Sequence, residues 1–114
     1  DNAQIFDCNQ GGIIVQNTVG FDSYCFYNIN ITNSKIYGNQ GRPDLPSSYG
    51  DGILLGNIVG GKVESCEIYN NGSRAQPGNS GLSIYTSKDF LVQNNEIHHN
   101  KSNSSTGSAI EVYY

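Results

Sequence analysis

One phrase returns along this 114-residue chain: GDGILL at 50 to 55, SGLSIY at 80 to 85 and SAIEVY at 108 to 113. A small residue at Gly52, Gly81 and Ala109 precedes apolar positions two apart, and the intervals are 29 and 28. A second set keeps the same beat, with Ile36, Ile68 and Ile97 separated by 32 and 29. Five positions before its members stand Ile31, Val63 and Val92, and three after them stand Asn39, Asn71 and Asn100. The first set extends to Ile13, Ile53, Leu82 and Ile110, each followed two positions on by Val15, Leu55, Ile84 and Val112. Residues two apart on a strand share a face, so each set is a column of side chains pointing one way.

The spacing between columns constrains the fold most. Ile53 to Ile68 and Leu82 to Ile97 are equal intervals, whereas the return paths Ile36 to Ile53, Ile68 to Leu82 and Ile97 to Ile110 all differ in length. Fixed strands joined by one elastic connection describe a solenoid whose insertions emerge on one face. The first repeat is longer between Ile13 and Ile36, so about eight extra residues bulge within NTVGFDSYCFYN. Each repeat reads as three short strands, because no 3.6-residue period is present and the segments are too short for helices. Stacking puts equivalent residues about 4.8 Å apart, Ile on Ile.

Composition agrees with an all-β chain full of turns. Gly, Asn and Ser are the commonest residues, and Met and Trp are absent. The bends before the third strand, Asn33-Ser34, Ser65-Cys66 and Asn94-Asn95, place short polar side chains where a turn needs left-handed dihedrals and hydrogen bonds. Glycines 12, 52 and 81 stand where a side chain would crowd a bend.

A net charge of −4 and only six Lys and Arg exclude a nucleic-acid surface. No apolar run reaches membrane-spanning length. Cys8, Cys25 and Cys66 lack metal-ligand spacing, and an odd count leaves at least one thiol outside any internal disulfide. Asn-x-Ser/Thr sequons, those at Asn30, Asn71 and Asn103 among them, are expected in a chain so rich in both residues.

The stretch GLSIYTSKDFLVQNNEIHHN, 81 to 100, resembles the repeat of right-handed parallel β-helix proteins of the pectate-lyase-like superfamily: small-apolar-x-apolar, a turn, apolar-x-apolar, Asn-Asn, x-Ile-x-x-Asn. The resemblance covers nearly the whole chain and implies a single parallel β-helix domain over 1–114, of about three to four coils. It further implies a secreted or surface protein acting on acidic polysaccharide as lyase, hydrolase or epimerase, with its cleft beside the first strand. The motif encodes the coil and not a site.

The outward positions of that first strand are Ile14, Leu54, Ser83 and Glu111, then Gln16, Gly56, Tyr85 and Tyr113. Tyr85 and Tyr113 fall one coil apart and would offer either a sugar platform or a ladder protecting the sheet. Ser83 and Glu111 would line the same substrate groove. Arg42 and Arg74 each follow a column Asn by three positions and suit a uronate carboxylate, since Arg pairs bidentately with planar anions. Arg42 has an alternative in an exposed ion pair with Asp44 or Asp51. Asp51 sits at the mouth of the groove, and its GDGI resembles the Asp-Gly-Ile of pectin-cleaving β-helix hydrolases, whose paired aspartates, Gly-His-Gly and Arg-Ile-Lys have no counterparts here. A two-carboxylate glycosidase is therefore poorly supported.

A lyase or epimerase needs a base for the proton beside the uronate carboxylate and a cation to neutralise that carboxylate. Asp51 and Tyr85 are the candidate catalytic groups, and Asp44 with Asp51 the candidate calcium ligands. His98 falls in the outward column of Tyr37 and Tyr69, and Lys35, Glu67 and Glu96 form a charged one. Neither chain end carries a cap, which is the expectation for a β-helix closed by further chain or by another subunit. Two functions stay open: a polysaccharide-processing enzyme, lyase-like, or a non-catalytic surface or fibre module that binds glycan or protein.

Overall fold

The columns read from the sequence are the strand registers of the structure. Ile5, Ile36, Ile68 and Ile97 pair in line, as do Ile13, Ile53, Leu82 and Ile110, and Ile31, Val63 and Val92. Every pairing is parallel. The computed structural model describes residues 1–17, 23–42, 44, 51–72, 79–101 and 109–113, and these contain strands and no helix.

The chain visits three sheets in rotation. The first holds β2 (Ile13–Val15), β5 (Ile53–Gly56), β8 (Leu82–Tyr85) and β11 (Ile110–Tyr113). The second holds β3 (Phe26–Thr32), β6 (Ile58–Glu64) and β9 (Lys88–Gln93). The third holds β1 (Gln4–Phe6), β4 (Lys35–Tyr37), β7 (Glu67–Tyr69) and β10 (Glu96–His98). Three whole coils, β2 to β4, β5 to β7 and β8 to β10, with β1 before and β11 after, make a parallel β-helix. Its core lies along the axis and is driest in the middle coil, where Ile53, Leu55, Ile58, Val63 and Ile68 are fully buried between neighbours above and below. The extra length of the first repeat falls between β2 and β3, whereas Asn57 alone separates β5 from β6; residues 18–22 of it lie outside those described.

The corners repeat as strictly as the strands. Asn2, Asn33, Ser65 and Asn94 all take φ between 51° and 55°, the left-handed conformation that Asn tolerates. The next residue points inward and satisfies the bend: Ser34 Oγ donates to Thr32 O at 2.7 Å, and Asn95 Nδ2 to Val63 O at 2.8 Å. A second inward polar column, Asn39, Asn71 and Asn100, links the coils through side-chain amides, so its buried polar groups are paired. Asn71 is thereby sealed in the ladder, 1% exposed, and its sequon offers no accessible acceptor, whereas Asn30 is exposed. Gly12, Gly52 and Gly81 lie against the same ladder. A Cβ on Gly52 would sit 2.7 Å from Asn71 Nδ2, Gly81 O and Ile68 Cγ2.

On the outer face of the third sheet the rings of Phe6, Tyr37, Tyr69 and His98 stack at 5.0–5.2 Å with interplanar angles of 5–12°. The parallel register fixes this separation, so equivalent aromatic residues in successive coils have little choice but to stack. Beside them Lys35 Nζ lies 2.7 Å from Glu67, the one glutamate it directly neighbours. All three cysteines are free thiols, with Cys66 buried, Cys8 half-buried and Cys25 exposed.

Candidate functional site

The outer face of the first sheet gathers most of the residues singled out from the sequence. Register places Leu54 beside Ser83 and Ser83 beside Glu111, and one row on Gly56 beside Tyr85 and Tyr85 beside Tyr113. That face is not an open groove along its length: Leu54 and Ser83 are each 3% exposed although they point away from the axis. Tyr113 is defined in its backbone register, and Arg74 lies outside the described residues.

Asp51 departs most from expectation. Placed by the sequence at the mouth of a groove, it is 2% exposed. The reason is the stacked corner: its Oδ1 accepts the Ser80 amide at 2.6 Å, and its own carbonyl accepts the Gly12 amide at 3.2 Å. Burial pushes the Asp51 carboxyl up to about 7, against the Ser80 amide and Ser83 hydroxyl that favour its ionised form, while the negative charge of Glu111 raises it further. Glu111 is tied into the same cluster, since Ser80 Oγ donates to its Oε2 at 3.0 Å. Asp51, Ser80, Ser83 and Glu111 thus form one polar knot spanning three coils.

Tyr85 is positioned by an absence. Gly56 has no side chain, and the Tyr85 ring lies across it: the three atoms nearest a Cβ built on Gly56 all belong to that side chain. The hydroxyl reaches a second coil and donates to Gln16 Oε1 at 3.0 Å. The ring spans the sheet instead of standing as a platform between coils.

Arg42 and Asp44 pair with each other. Arg42 Nε donates to Asp44 Oδ1 at 2.9 Å and Nη2 to Oδ2, and this partner holds the Asp44 carboxyl below the usual range. The pair is exposed at both ends, as an ordinary surface ion pair is. Among the described residues no bond joins Arg42 to Asp51, and no group of three His, Cys, Asp or Glu is placed to hold a metal ion. Asp44 and Asp51 do not form a joint ligand set there: one carboxylate is engaged by a guanidinium and the other is enclosed by Ser80 and Ser83.

Lys62 is paired with Glu64, and Lys88 lies 4.8 Å from the centroid of the Tyr24 ring, both lysines on the second sheet. Sequence reasoning missed the parts played by Gln16 and Ser80. Their signal is the column itself, since Ser80 occupies the place of Asp51 one coil later.

The family model for the right-handed β-helix region matches residues 1–114. No curated protein and no solved structure matched the chain. With parallel registers throughout, an inward asparagine ladder and a family match over its full length, the chain belongs to the right-handed β-helix family.

Proposed function

We propose that this β-helix is an extracellular, carbohydrate-active protein that processes acidic polysaccharide by lyase-type chemistry at the outer face of its first sheet. The observation carrying the reading is Asp51: a carboxyl with pKa about 7, bonded to Ser80 and Ser83 and influenced by Glu111. A group that must take and return a proton works best with a pKa near the operating pH, and strongly perturbed carboxyls concentrate at functional sites. Ionised Asp51 would take the proton from the carbon beside the uronate carboxylate. The electron pair so released forms the ring double bond, and the glycosidic oxygen leaves with the proton returned by Asp51. Arg42, exchanging Asp44 for the substrate, and Arg74 would neutralise the uronate carboxylate. Tyr85, Ser83, Glu111 and Tyr113 would flank the sugar.

The test is incubation with uronate polymers, with and without calcium, while following the ultraviolet absorbance of unsaturated products. Product formation with a pH inflection near 7, lost in Asp51→Asn, supports the reading. No product from any uronate polymer across the pH range overturns it.

The enclosure of Asp51, 2% exposed with one oxygen committed to the Ser80 amide, favours a second reading. In it the chain is a non-catalytic surface module that binds glycan or protein, and Asp51 is a structural carboxyl. Binding of a glycan without turnover would distinguish it.

A further inference from the structure

The corner that follows the third sheet carries one left-handed residue per coil: Asp7, Gly38, Asn70 and His99, with φ of 56°, 66°, 54° and 54°. Three of the four carry side chains, and Gly38 interrupts the column. A Cβ there would meet nothing within 4 Å except Asp7 Oδ1 at 3.6 Å. The gap opens a depression of about 270 Å³ lined by Asp7, Gly38, Gln40, Asn70 and Lys101.

The scaffold of this depression is fixed by backbone bonds between coils. The amides of Gly38, Gln40 and Lys101 donate to the carbonyls of Tyr69, Cys8 and Asn71 at 3.2, 3.1 and 2.8 Å. The side chains above that scaffold are unengaged: among the described residues, those of Asp7, Gln40, Asn70 and Lys101 bond to no protein group. Three other lysine or arginine side chains on the surface are held in ion pairs, Lys35 with Glu67, Arg42 with Asp44 and Lys62 with Glu64.

The donor set defines the ligand. Lys101 gives three donors, Asp7 is an acceptor, and the two side-chain amides provide both. Asp7 opposes an anion and Lys101 opposes a cation, so the depression suits a group that is uncharged and rich in hydroxyls. The adjacent rings of Phe6, Tyr37 and Tyr69 turn their faces to one another, leaving polar contacts as the means of recognition.

We propose that the Gly38 corner binds a neutral, hydroxyl-rich sugar residue of a glycan chain, at the end of the third sheet and apart from the knot around Asp51. Rigid backbone beneath unengaged polar side chains lowers the ordering cost of binding.

The experiment is amide NMR titration of the protein with short neutral oligomers of glucose, xylose and galactose, and separately with a uronate oligomer. A neutral oligomer should shift the amides of Asp7, Gly38, Gln40, Asn70 and Lys101. Gly38→Asn fills the gap and suits the left-handed backbone, as Asn70 does one coil on; it should keep the thermal midpoint and abolish those shifts. Lys101→Ala, at an exposed position, should weaken binding about tenfold through loss of one charged hydrogen bond. Asp51→Asn should leave this binding unchanged, which separates the corner from the first-sheet reading. The proposal is overturned if no neutral oligomer shifts these amides, if only the uronate oligomer does, or if Gly38→Asn or, should that variant not fold, Lys101→Ala binds like the unmodified chain.

Discussion

Asn39 donates from Nδ2 to Oδ1 of Asn71 at 2.9 Å, one coil away, and neither side chain is more than 1% exposed. The same Oδ1 accepts the Asn39 amide at 3.1 Å, while Asn71 Nδ2 donates to Ile36 O and to Asn100 Oδ1. Asn71→Ala strips partners from Asn39, Ile36 and Asn100 together, at about 1–3 kcal/mol for each buried group left unpaired. The expected loss is about 3 kcal/mol or more in denaturant unfolding, and a loss under about 1 kcal/mol would remove the ladder from what holds the coils together.

Asp51 makes stability depend on pH in an unusual direction for a carboxylate. Its carboxyl is raised from 3.8 to about 7 in the folded state, so the native protein holds a proton that the unfolded chain has released. The resulting penalty is absent below about pH 4, grows as pH rises towards 7 and is complete above it. Asp51→Asn keeps an acceptor for the Ser80 amide and removes the penalty. It should stabilise the protein at pH 8 by up to roughly 4 kcal/mol and leave stability at pH 3 unchanged. Melting curves at both pH values check this, and equal gains at the two would contradict it.

The same substitution at two glycines of one coil should have different effects. In Gly52→Ala the new methyl meets Asn71, Gly81 and Ile68, which are locked in the core, so the cost should be about 3 kcal/mol or more. In Gly56→Ala it meets only the Tyr85 side chain, which can swing outward with loss of its bond to Gln16, at about 1 kcal/mol. Thermal unfolding of the two variants side by side is the measurement, and a reversed order would refute the packing described.

Tyr69 lies between two rings, with Tyr37 at 5.0 Å and His98 at 5.2 Å. Tyr69→Ala removes both pairs, each worth about 0.5–1.5 kcal/mol beyond the area it buries, and should cost about 2 kcal/mol. Tyr69→Phe keeps the stack and should fall within about 0.5 kcal/mol of the parent. A Phe variant as unstable as the Ala variant would assign the stabilisation to the hydroxyl.

The sequence by itself determined the coil. Ile36, Ile68 and Ile97, the asparagines three positions on, and the constant interval between columns are local and periodic signals, and a parallel in-register stack converts each one directly into a contact. The outward column of Tyr37, Tyr69 and His98 and the pairing of Lys35 with Glu67 were legible for the same reason. The tertiary structure alone decided what lies beside the columns. Whether Asp51 is open or enclosed depends on the amide and hydroxyl brought against it from Ser80 and Ser83, a coil away. Whether Tyr85 stands up or lies down depends on the missing side chain at Gly56. Period fixes which residues share a face, but burial, charge state and ring orientation arise from neighbours across coils, and those depend on the particular residue found there.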